Sequence, residues 1–121
     1  MEFQSRYSKD DLLKAHLELD SMMLNPETQK ALTAATKPSQ VITGLIKTNK
    51  YERDVLILAD FFGQLATCVQ KDVCNMETAC AVFKDRVDAH WHNYYDLFQE
   101  WKPLGDRLME PTANYFDETC K

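Results

Sequence analysis

Apolar residues recur at steps of three and four along most of this chain, the period of an α-helix rather than the alternation of a strand. The clearest run is Met76, Ala79, Cys80, Phe83, Val87, His90, Trp91, Tyr94, Phe98 and Trp101. It predicts one amphipathic helix over 76–102, opened by the cap Asn75 and stopped by Pro103. From Tyr51 to Lys71 the same step is kept by Val55, Leu58, Phe62, Leu65, Ala66 and Val69, and Leu56, Ile57 and Phe61 widen the apolar side until little polar surface is left. A helix apolar on nearly every side belongs at the centre of a bundle. The expected heart of the fold is therefore an antiparallel pair, 51–71 against 76–102.

The remaining elements follow from punctuation. Ser8 with Asp11 three positions later resembles a capping box, and Asp10 and Asp11 suit the positive end of a helix, so a first helix is expected over 9–24. Its apolar side is supplied by Leu12, Leu13, Leu17, Leu19, Met22 and Met23. Asn25-Pro26 reads as a cap followed by proline at the first helical position, opening a second helix to about residue 36, ahead of Pro38. Ser39 is expected to cap a short third helix, in which Val41, Ile42, Leu45 and Ile46 outweigh the β-branched run and Gly44. Pro103, Gly105 and Pro111 predict a turn and a short closing helix near 112–119. No repeat, low-complexity tract or linker interrupts the series, so residues 1–121 read as a single all-α domain, a helical bundle of five or six helices.

Composition supports that class. With 121 residues, 45% of them hydrophobic, and only three glycines and four prolines, the chain has the apolar content for one core and lacks the turn residues of a β-sandwich. Its first residues are polar and charged, and the longest apolar run, Val55 to Ala59, ends at Asp60. The expectation is a soluble cytoplasmic protein with no membrane contact of its own; a longer, membrane-tethered parent stays compatible. Cys68, Cys74, Cys80 and Cys120 lack the close pairs of a zinc site. Steps of six rotate by about 600° along a helix, so the first three do not converge on one face of a continuous helix. They read as reduced thiols used as small apolar side chains.

Charge narrows the choice of partners. The net charge is −5, unevenly spread: residues 28–53 carry five bases and one acid, whereas residues 54–121 carry six bases and twelve acids. An acidic chain is repelled by nucleic acid at long range, and a local nucleic-acid contact through Lys37, Lys47, Lys50 and Arg53 is left as an alternative.

Candidate chemistry concentrates in Asp88 to Trp101, with two histidines, three acids and five aromatics. On a helix, His92 is turned about 200° from His90, so the two cannot hold one ion, and no acid-x-x-His pair or His-Glu-x-x-His is present. No metal or other cofactor is expected. His90 lies in line with Val87, Tyr94 and Trp101, on the apolar side. At the edge of the aromatic stripe, Tyr95 and Trp101 are candidates for docking a partner, because both rings keep a polar atom. Opposite them Asp85, Asp88, His92, Asp96 and Glu100 stack as an acidic ridge, where neighbouring carboxylates favour the charged imidazole of His92. Asp60 reads as the one acid set inside the strongly apolar helix and is expected to pair with a buried partner or lie at the helix's polar margin. No phosphate-cradling glycine loop and no nucleophile elbow occurs, so no enzyme is expected.

The segment from Leu58 to Leu104 carries a Phe-Phe pair after Asp60, then Trp91, Tyr94 and Tyr95, then Trp101, Pro103 and Leu104, with Arg107, Tyr115, Phe116 and Asp117 beyond it. In this order it resembles a bacterial and prophage family catalogued as domain-of-unknown-function family 4760, over about the last seventy residues. It departs from that pattern at Gly63, where the family tends to carry a glutamate. The resemblance implies a helical bacterial or phage protein and lends no activity. The expected function is a non-enzymatic protein–protein interaction module, with homo-oligomers allowed. The first alternative is a small acidic inhibitor or immunity-type protein that masks a basic surface of a nuclease or defence complex with Asp85, Asp88, Asp96 and Glu100.

Overall fold

The computed structural model of the chain describes residues 9–101 and 104–120, with side chains from 10–101 and 109–120. Among the described residues it contains seven α-helices and no strand: α1 (Lys9–Leu24), α2 (Pro26–Ala34), α3 (Pro38–Asn49), α4 (Glu52–Gln70), α5 (Met76–Asn93), α6 (Tyr95–Glu100) and α7 (Leu104–Thr119). The all-α class stands, with one helix more than the upper expectation. Ser8 and Pro103 lie outside the described residues, as do the side chains of Leu104 and Arg107.

Local chemistry sets several boundaries. The Asn25 side chain accepts the Glu27 N–H at 2.9 Å with Pro26 in the first turn, and the Asn75 side chain accepts the Thr78 N–H at 2.8 Å. Helix α4 ends where Asp72 takes a left-handed φ of 58°, and the Cys68 carbonyl then accepts from both Val73 and Cys74 at 3.0 and 3.1 Å.

The expected helix over 76–102 is broken into α5 and α6, and the break accounts for the extra helix. Ser39 caps no helix of its own, since α3 starts at Pro38 with Lys37 as its cap residue. Its hydroxyl instead donates to the Asn93 carbonyl at 3.5 Å and accepts the Asp96 N–H at 3.2 Å, taking up groups that a continuous helix would have bonded internally. Tyr94, at φ −108° and ψ 18°, is the hinge. The closing helix is longer than expected, because α7 runs through Pro111 instead of starting after it. A proline inside a helix forfeits one backbone bond; burial of Met109, Ala113 and Phe116 along α7 offsets that loss.

Helix α4 is the centre, as its composition demands, with Val55, Ala59, Phe62, Leu65 and Ala66 all buried. Its broadest neighbours are α1 and α7, however, and α5 packs on it less extensively. The expected central pair is thus corrected to a three-helix centre. Gly63 lies at the α4–α7 approach, where a Cβ would meet Thr112 Oγ1 at 3.6 Å. The core extends through Ile46, Val87, Leu97, Phe98, Met109 and Phe116.

All four cysteines are paired, which overturns their reading as free thiols. Cys68 and Cys74 join across the α4–α5 turn, and Cys80 in α5 joins Cys120 just beyond α7, with Cα separations of 5.2 and 5.4 Å. The helical-wheel argument required a continuous helix. The chain reverses between Gln70 and Met76 instead, which brings Cys74 back onto Cys68.

Candidate functional site

The outer face of α1 is the least expected surface. Leu13, Leu17 and Leu24 are 52%, 55% and 75% exposed and fall within about 40° of one another around the helix. Ala15, Leu19 and Met22 occupy the opposite, buried side. Both sides of α1 are therefore apolar, which blurs its amphipathic pattern in the sequence. Beside the stripe a cleft of about 250 Å³ runs between α1 and α5, with Leu12, Leu13, Leu58, Phe61, Phe62 and Phe83 along it and His16 and Arg86 at its rim.

The rim is polar and internally linked. His16 Nε2 lies 2.9 Å from Asp20 Oδ2 and 3.2 Å from Arg86 Nη1. One ring nitrogen cannot donate and accept together: carrying a proton it donates to Asp20, and without one it accepts from Arg86. The first arrangement is internal to α1, and the second ties α1 to α5.

Beneath the rim lie Asp54, which sequence reasoning passed over, and Tyr94 and His90, which it placed on the packed side and which are buried. Asp54, 8% exposed, is pushed up to about 7 by burial, by a hydrogen bond with Glu18 and by the Glu18 charge, with Lys14 and Arg53 opposing. A signal was available, since Asp54 stands four and eight positions before Leu58 and Phe62 on the inward side of α4. Tyr94 is raised by burial and by the charges of Asp20 and Asp54. His90 is buried among Phe62, Tyr94 and Phe98, with ring centroids 5.5, 4.9 and 5.9 Å away. It donates Nε2–H to the Val55 carbonyl at 3.0 Å. Burial lowers it to about 4 against the opposing effect of that bond, which keeps the ring neutral.

No family model matches the chain, and no curated protein or solved structure matches it either.

The expected site residues are scattered by this geometry. Tyr95 is 43% exposed and edge-on to Trp91 at 5.1 Å, whereas Trp101 packs half-buried against the core, edge-on to Phe98 at 5.9 Å. The acidic ridge is no single helix face: Asp85, Asp88 and His92 belong to α5, Asp96 and Glu100 to α6. Two of its acids are engaged. Asp88 pairs with Lys84 at 2.5 Å and holds that ammonium above its usual value, with Asp117 of α7 contributing from 3.5 Å. Glu100 pairs with Lys47 at 2.5 Å. That bond joins a member of the ridge to a member of the basic set. Of the other bases, Lys37 precedes α3, Lys50 follows it with φ 60°, and Arg53 lies in the first turn of α4. Asp60 accepts from Gln64 Nε2 at 3.2 Å, half-buried at the helix margin. Among the described residues no three His, Cys, Asp or Glu side chains converge in a metal-holding group.

Proposed function

We propose that this chain is a non-enzymatic helical module that binds another protein through the outer face of α1. The observation that carries this reading is the exposed stripe Leu13, Leu17 and Leu24, set opposite the side of α1 that faces the core. Three large aliphatic side chains aligned on one helix face cost solubility unless something covers them. The adjoining cleft fits one anchoring side chain of a partner, and Arg86 at its rim favours an acidic residue beside that anchor. The partner chemistry is thus an amphipathic helix that pairs an apolar anchor with a carboxylate. Kinship with the family 4760 proteins belongs to the same proposal.

Affinity capture with the full chain tests it. The wild-type chain and a Tyr95→Ala variant are expected to retain the same partner, and Leu13→Lys with Leu17→Lys to lose it. Retention by the double lysine variant sinks the α1 reading. The acidic-inhibitor alternative rests on the net charge of −5 and predicts steep loss of affinity with added salt. Its ridge has two carboxylates engaged by lysines, and the nucleic-acid alternative has Lys47 engaged by Glu100. Those pairings weigh toward the apolar face.

A further inference from the structure

The two cystine bridges do different jobs. Cys68–Cys74 spans six positions and closes a turn that the Cys68 carbonyl already holds with two hydrogen bonds. Cys80–Cys120 spans 40 positions and fastens the far end of α7 to α5. Helix α7 needs such a fastening: it carries Pro111 in its interior, yet it must hold Met109, Ala113 and Phe116 in the core. No cysteine is left over for metal binding or nucleophilic chemistry.

We propose that the working protein carries both bridges, that it folds and acts in an oxidising compartment rather than the cytosol, and that Cys80–Cys120 is the latch of α7. Each bridge forms when two thiols give up two protons and two electrons. The acceptor is the disulfide of a thiol–disulfide oxidoreductase, which leaves as its dithiol. Cytosolic reductant pools run that exchange backwards, whereas outside them paired cysteines persist. The pairing therefore replaces the cytoplasmic expectation and requires the partner of α1 to be present in the same compartment. This inference is independent of the binding proposal, since it concerns the state of the chain and not its surface.

The test is thiol trapping in the cells that make the protein. Cells are quenched in acid, the denatured chain is alkylated with N-ethylmaleimide without reductant, and intact mass and tryptic peptides are read. The expected result is no adduct before reduction, four after it, and linked peptides joining Cys68 to Cys74 and Cys80 to Cys120. Stoichiometric alkylation of any cysteine before reduction, or any other connectivity, overturns the proposal. For the latch, Cys80→Ala with Cys120→Ala is expected to lower the melting temperature of the full chain by roughly 10–20 °C, and Cys68→Ala with Cys74→Ala by less. The reverse order, or an unchanged melting temperature in the first variant, removes the latch assignment.

Discussion

Helices α1 and α7 are both sixteen residues long and both lie against α4, yet they are held there by different means. Helix α7 buries Met109 and Phe116 almost completely and is tied covalently through Cys120. Helix α1 buries the smaller set Ala15, Leu19 and Met22, places Glu18 against the buried Asp54, and leaves three leucines in solvent. One flank of the central helix is fastened and the other is held by reversible contacts. Binding surfaces belong on elements whose attachment can be adjusted, which agrees with the exposed stripe lying on α1.

The contrast can be broken at its strongest point first. Phe116→Ala should cost roughly 4–5 kcal/mol in urea unfolding, since a fully buried ring leaves a cavity that the latched helix cannot collapse. A cost below that of Leu19→Ala would reverse the ranking of the two flanks. Loss of the Cys80–Cys120 bridge should cost roughly 3–4 kcal/mol, the value for closing a loop of about forty residues. The check is the shift in urea midpoint between the double alanine variant and the wild type.

The next prediction concerns pH. Asp54 has a folded value of about 7 against an ordinary 3.8, so its contribution is complete below 3.8 and is lost as pH rises through 7. His90 has a folded value of about 4 against 6.5, so its contribution is complete above 6.5 and is lost as pH falls toward 4. The two slopes oppose each other between pH 4 and 6.5. The wild type should be flatter there than Asp54→Asn, whose stability should rise with pH once the His90 slope stands alone. Equal slopes in chemical unfolding at pH 4.5 and 6.5 would show that Asp54 does not hold its proton. The smallest expected effect is Leu17→Lys, within about 0.5 kcal/mol of wild type, because that side chain already stands in water. A large loss of stability would place Leu17 in the core.

The sequence was most informative where structure is local. The end of α1 and the starts of α2 and α5 follow from Asn25, Pro26 and Asn75, and the two asparagine bonds reach only two or three residues. Burial along α4 follows from its composition. What stayed hidden depends on distant partners. Nothing near Ser39 announces that its hydroxyl serves Asp96, nothing near Cys80 names Cys120, and Asp54 reads as an ordinary first-turn acid until Glu18 is packed against it. The exposed face of α1 was hidden for another reason: six apolar residues in one helix look like a generous core face, and periodicity alone cannot say which of them water keeps.

Ser39 has a consequence in time as well as in space. The groups its hydroxyl serves, on Asn93 and Asp96, lie 54 and 57 positions further on, so these bonds form only once α3 has docked on residues 76–101. Those residues have the unbroken periodicity of one long rod, and on their own they should form one. The bend at Tyr94 is therefore held from outside its own helix: the Asn93 carbonyl and the Asp96 N–H, freed where the rod breaks, are both taken up by a hydroxyl of α3.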